Sequence, residues 1–273
     1  MDSLLNQSYQ NWEAIVINNF SEDNTIEIVK GYKDFRIRLI NNANGGIIAV
    51  SRNKGISESK GDWICFLDSD DWWYPNKLEV CLPYLENYDL IHHDLDIYTN
   101  VEESKGIAKG RVLNGNIAND LIIHGNGLAN SSVVIRKSIV CLVGEIAEDI
   151  ELIAVEDYEY WIRIARVTGR FKYIDESLGG YWEGDNLSYS TRQIGRVKYL
   201  LDRYMQDLTG EEQKSAISRF HFSAARKYHY FSMYSEARLY YLYSLRTNSF
   251  RRALKAIAGY ILSCFKMKYR NRR

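Results

Sequence analysis

Short apolar runs that stop abruptly on polar residues recur through the first quarter of the chain. Asn11-Trp-Glu-Ala-Ile-Val-Ile-Asn-Asn19 reads as a strand ending on Asn18 and Asn19, and Ser21 is placed to cap a helix from about Glu22 to Lys33. Ile37–Ile40 reads as a second strand. Asn44-Gly45-Gly46 then turns into a helix from about Ala49 to Ser59 that carries Ser51, Arg52 and Asn53. A third run, Trp63 to Leu67, is too short for a free-standing helix and reads as a buried strand bounded by Gly61. Strands alternating with helices predict an α/β fold with a mostly parallel, doubly wound sheet. Farther on, Asp89–Tyr98 reads as another strand and residues 99–120 as a polar loop. Asp157, Trp161, Ile164, Ala165 and Thr168 recur at helical spacing, and helices rich in Tyr and Arg follow at Ser215–Phe231 and Tyr234–Arg246.

The third run ends on Asp68-Ser69-Asp70-Asp71, so its carboxylates stand at the C-terminal end of a strand, the edge where open α/β sheets bind ligands. Asp68 and Asp70, two apart on chain leaving the strand, can converge on one hard cation. Such a cation keeps waters and grips a substrate diphosphate. Taken alone, Asp68-Ser69-Asp70 reads more readily as a solvated acidic turn or helix cap. Glu156 and Asp157 open a helix, where a carboxylate also interacts well with the helix dipole. His92-His93 is a tempting metal pair, but adjacent strand residues point to opposite faces, so a structural or cleft-lining role is expected.

Asn6–Trp12, Val16–Thr25, Gly46–Gly55 with Ser51-Arg52-Asn53, Lys60-Gly61 and Phe66–Asp71 with Pro75 and Lys77 resemble, in order and spacing, family 2 glycosyltransferases. The resemblance covers roughly residues 3–190. It implies a GT-A fold and metal-assisted, inverting transfer of a sugar from a nucleotide diphosphate to an acceptor hydroxyl. It implies donor binding by Asn18, Asn19, Ser21, Arg52, Asn53, Asp68 and Ser69, with Mn²⁺ or Mg²⁺ on Asp68 and Asp70. Asn130–Arg136 is similar to the family strand whose leading residues face the acceptor, so Asn130 and Ser131, with Trp161, would bind it. Val155-Glu-Asp-Tyr-Glu-Tyr-Trp161 is similar to the family's Glu-Asp-x-x-x-Trp element, which makes Asp157 the expected general base, with Glu156 as the alternative.

The chain departs from the family at three places. Members open with a central strand that would lie upstream of Met1, so a sheet built from residues 1–273 is expected to carry an unpaired gap beside Ile15–Ile17 and Phe66–Leu67, with low stability and weak donor binding. Asn18-Asn19 stands where many relatives have an Asp that accepts from the nucleotide base, and an Asn carbonyl can still accept. Gly179–Ser188 lacks the His that many relatives have there. Asp185 or Asn186 could replace it, or the donor oxygens alone would complete the metal's ligands, and the glycines suit a lid.

Composition narrows the class further. Lys plus Arg equal Asp plus Glu at 35 each, so no global field recruits nucleic acid. The chain is 46% hydrophobic, enough for one large core and a smaller appendage. Three segments are expected: a GT-A domain over 1–194, a helical extension over 195–250, and a basic amphipathic helix over 251–273. The last holds eight Lys or Arg and no acid, with Leu254, Ile257, Ala258, Ile261, Leu262 and Phe265 at helical spacing, and reads as a helix lying on an anionic membrane surface, the alternative being a helix packed on the catalytic domain with a solvated basic tail. Four scattered cysteines and no apolar run of about 18 residues fit a peripheral protein on the cytoplasmic face of the membrane. With a lipid-linked or glycan acceptor, bacterial surface polysaccharide synthesis (O-antigen or capsule) is the expected setting. Two other readings stay open: a non-catalytic relative that binds nucleotide sugar or a partner enzyme, and a nucleotidyltransferase.

Overall fold

The computed structural model describes residues 1–99, 103–184, 190–246 and 249–267. The chain forms two compact units, one of residues 1–114 and 127–186, the other of 115–126 and 187–273. Segment 115–126 packs with the second unit, although it is bracketed in sequence by the first.

Among the described residues the first unit holds eight strands: β1 (Ala14–Asn18), β2 (Ile37–Asn41), β3 (Trp63–Cys65), β4 (Trp72–Trp73), β5 (Leu90–Tyr98), β6 (Ser104–Ala108), β7 (Val134–Arg136) and β8 (Phe171–Trp182). Its helices are α1 (Asp2–Leu5), α2 (Thr25–Gly31), α3 (Ile48–Glu58) and α4 (Lys77–Cys81). After α5 (Ile117–His124), which belongs to the second unit, come α6 (Lys137–Val143) and α7 (Glu156–Val167).

The expected strand and helix alternation is present, but the sheet is mixed. β1 and β2 form a separate parallel pair, while β3-β7-β5-β8-β4 run in that order with β6 on β5. Only β5 and β8 are parallel within the larger sheet; β3–β7, β5–β7, β4–β8 and β5–β6 are antiparallel. Hydrophobic alternation reports a strand's buried face but not its direction, which is set by the connections. Among the described residues β1 pairs with β2 alone and β3 with β7 alone.

β5 is the sheet's spine and is buried on both faces, the pattern of a central strand. It packs Ile91 with Cys81, Val134, Ile174 and Leu178 in one cluster. His92 and His93 are enclosed there, and burial pulls each down to about 3, so both stay neutral. Among the described residues no group of three ligating side chains surrounds a metal position.

Three local expectations change. Residues 104–108, expected as loop, form β6, whose alternation is too polar to be read from sequence because it is an exposed edge. Ser21 does not cap α2. Its N–H and hydroxyl both donate to Asn18 Oδ1 at 3.2 and 2.6 Å, and the helix begins four residues later. Gly179 and Gly180 are strand residues in β8 facing β4, not a hinge. A Cβ on Gly179 would stand 2.5 Å from the Trp72 carbonyl oxygen, so glycine serves close backbone approach.

The second unit adds α8 (Arg192–Tyr204), α9 (Gly210–Tyr230), α10 (Tyr234–Ser244) and α11 (Phe250–Cys264). A capping box between Thr209 and Glu212 starts α9. Tyr241 packs onto Ala225, Ala237 and Ala256, joining α9, α10 and α11.

Candidate active site

The segment between β3 and β4 places Asp68, Ser69, Asp70 and Asp71 at the end of β3. A turn bond from Asp71 N–H to the Asp68 carbonyl at 3.1 Å curls this segment. α3 brings Arg52 to it, and the first turn of α7 brings Glu156 and Asp157. Arg52 donates to Asp68 Oδ1 at 2.9 Å and to Glu156 Oε1 at 2.5 Å, so one guanidinium joins the two acidic stretches that the sequence separates by more than eighty residues. Burial works against its charge, but Asp68, Glu156 and Asp157 hold it protonated.

Asn130 and Ser131 complete the cradle. Asn130 Nδ2 donates to Asp68 Oδ1 at 2.9 Å. Ser131 Oγ accepts from the Asp68 N–H at 3.1 Å and donates to Asp71 Oδ2 at 2.6 Å, while its carbonyl accepts from Trp73 Nε1 at 2.8 Å. That indole is stacked by fully buried Lys77, whose Nζ lies 3.6 Å from the ring centroid. Asp71 is the member of the cluster to which no role was assigned from sequence. Its Oδ1 accepts from the Trp182 N–H at 2.9 Å, tying the acidic segment to the end of β8. Burial pushes its carboxyl up to about 7. No sequence signal marks this bond, because it pairs a side chain with the backbone of a strand more than a hundred residues away.

Asp157 is partly open to solvent and accepts from the Tyr158 N–H at 2.7 Å. Burial first, and then the adjacent Glu156 carboxylate, push it up to about 7, against the pull of Arg52. Glu156 is enclosed, and its Oε2 has no hydrogen-bond partner. Asp68, Glu156 and Asp157 thus act on one guanidinium. Asp70 is exposed, and its carboxyl is raised first by desolvation and then by Asp68. Asp68 and Asp70 are the hard oxygen donors here that fit a divalent cation, two ligands with the remainder left to water or substrate.

Several residues expected at the donor do other work. Both ends of the Asn18 amide are used internally, its Nδ2 donating to Asn41 Oδ1 at 2.8 Å and its Oδ1 accepting from Ser21, so it clamps the ends of β1 and β2. Asn53 donates to the Ile146 carbonyl and Glu148 and accepts from the Ile146 N–H, a buried fastening of α3. Trp161, expected at the acceptor, is 1% exposed and packs edge-on to Phe66 in the core. Asn19 accepts from the Asn44 N–H at 2.9 Å, and Ser69 is exposed. Asp185 and Asn186 lie outside the described residues.

The family model for glycosyl transferase family 2 matches residues 1–140, which include α3, Asp68–Asp71 and the Asn130-Ser131 cradle. The chain belongs to that family. Its relatives include the Escherichia coli protein named UDP-Glc:alpha-D-GlcNAc-diphosphoundecaprenol beta-1,3-glucosyltransferase WfgD, 29% identical over 168 residues, 61% of this chain. The chain spans 63% of that relative's length. Among solved structures, TarS 1-349 of S. aureus in complex with UDP-GlcNAc superposes with a TM-score of 0.56 at 15% identity, covering 98% of this chain and 88% of that one. The mannosyltransferase PcManGT from Pyrobaculum calidifontis, in complex with GDP-Man and Mn²⁺, gives a TM-score of 0.60 at 13% identity, covering 96% of this chain and 75% of that one. These likenesses establish the GT-A-type fold of the family 2 chain.

Proposed function

We propose that this chain transfers a sugar, with inversion, from a nucleoside diphosphate donor to a hydroxyl of a lipid-linked or glycan acceptor in bacterial surface polysaccharide synthesis. The observation that carries it is the Arg52 bridge, which ties Asp68, beside Asp70 at the end of β3, to Glu156, beside Asp157 at the start of α7. The donor chemistry is supported by the nucleotide sugars named for WfgD, TarS and PcManGT, and the lipid-linked acceptor by the diphosphoundecaprenol in the name of WfgD.

In this reading Asp157 takes the proton of the acceptor hydroxyl as its oxygen bonds to the anomeric carbon. The bond from that carbon to the diphosphate breaks, and its electron pair leaves with the nucleoside diphosphate. A carboxylate with a pKa near the working pH suits a general base. Asp68 and Asp70 would hold Mn²⁺ or Mg²⁺, which when bound supplies positive charge to the leaving diphosphate. Arg52 and Asn130 orient Asp68, and Ser131 with Asp71 fixes the backbone of the acidic turn. The enzyme would work peripherally on the cytoplasmic face of the membrane.

The test is a nucleotide-sugar panel assayed for nucleoside diphosphate release with Mn²⁺ or Mg²⁺ and in EDTA. Transfer is expected to need the metal and to fall at least ~10²-fold in Asp70→Asn with the fold intact. Release of pyrophosphate would mark a nucleotidyltransferase, donor binding without turnover would mark a non-catalytic relative, and undiminished transfer in EDTA would exclude the metal.

A further inference from the structure

α11 is built inside out. The residues it buries are small or polar, Ala256, Gly259 and Ser263, with Arg252 half-buried and donating to the Ser215 carbonyl at 3.2 Å. A Cβ on Gly259 would stand 2.3 Å from Tyr241, so the helix lies hard against α10 on its small-residue side. The large apolar residues point the other way. Phe250, Leu254, Ile257 and Ile261, with Phe265 just past the helix end, are each between 45% and 77% exposed. Their spacing of four, three, four and four residues sets them along one stripe. A soluble helix buries that stripe.

The charges beside the stripe choose its partner. Arg251 and Lys255 are exposed on one flank, and residues 251–273 contain eight Lys or Arg and no acid. A second copy of α11 laid on the stripe would set basic flanks against each other with nothing to neutralise them. An anionic bilayer surface takes both features at once, the stripe entering the acyl boundary and the flank meeting phosphate headgroups. Among the described residues no helix is long and apolar enough to cross a membrane, so a spanning arrangement does not compete.

We infer that α11 is an interfacial anchor, with Phe250, Leu254, Ile257, Ile261 and Phe265 as its inserted face and Arg251 and Lys255 as its headgroup contacts. This deepens the peripheral placement proposed above but is independent of the catalytic reading, because it is measured without donor or acceptor. The full chain is sedimented with vesicles of phosphatidylglycerol and phosphatidylcholine, and with phosphatidylcholine alone, across a salt series. Partition should favour the anionic vesicles and fall with salt. Arg251→Gln with Lys255→Gln should lower it about 25-fold, near fivefold for each basic residue removed. Leu254→Ser with Ile261→Ser should lower it roughly tenfold or more while leaving the helical circular dichroism unchanged, since both side chains are already in solvent. Equal partition onto neutral vesicles, or wild-type partition by either double variant, would overturn the inference. So would a dimer in sedimentation equilibrium that Leu254→Ser with Ile261→Ser returns to monomer, which would give the stripe to a second copy.

Discussion

Replacing Arg52 by Met tests whether the acidic cluster is held together by one cation. Its two bonds differ in worth, because the Glu156 side chain is 6% exposed and that of Asp68 31%. Asp68 regains water when the guanidinium leaves, so that contact contributes under about 1 kcal/mol. Glu156 does not, and stranding a buried carboxylate costs about 3 kcal/mol, the more so here because its second oxygen already lacks a partner. The expected loss is therefore about 3–4 kcal/mol. Arg52→Met combined with Glu156→Leu removes the stranded charge and should recover at least half of it. The assay is urea unfolding followed by tryptophan fluorescence. All six tryptophans lie between residues 12 and 182 in the first unit, so the signal reports the unit that contains the cluster. A loss below about 1 kcal/mol for the single variant, or a double variant no more stable than the single, would refute the account of Arg52 as the cluster's neutralising centre.

Asp157→Asn should abolish transfer while preserving donor affinity, measured by nucleotide-sugar titration, because the lost group acts on the acceptor proton. The deprotonated base is the active form, so wild-type transfer should fall as the pH drops through about 7, read from a rate profile between pH 5 and 9. The stability effect has the opposite sign. The folded-state pKa is raised, so the native state binds the proton more tightly than the unfolded chain, and stability declines as pH rises toward about 7. Asp157→Asn should therefore raise Tm most at pH 8, less at pH 5, and hardly at all below about pH 4, where the carboxyl is protonated in both states; a lower Tm at pH 8 would contradict this. Gly179→Ala should cost about 1–3 kcal/mol in the same urea assay, since the new methyl meets the backbone oxygen of Trp72, which cannot rotate away.

Local patterning was enough to determine most elements of the first unit, the acidic end of β3, the helical face opening at Glu156, and the family. Each of those is a short-range property: an apolar run, a cap, a spacing of three or four. The basic amphipathic character of residues 251–273 was legible for the same reason. Strand direction was not, because β7, β5 and β8 meet through connections of different length and hand, and alternation is blind to orientation. Nor was the division of labour among the polar residues. Asn18 and Asn53 carry the right chemistry for a ligand, yet their amides are engaged by Asn41 and Ile146, partners that only folding brings near. Asp71 is the converse case, a turn residue by sequence that in the structure joins Ser131 to the end of β8. A hydrogen bond needs its partner within about 3 Å, and for partners distant in sequence that proximity is decided by the tertiary structure alone.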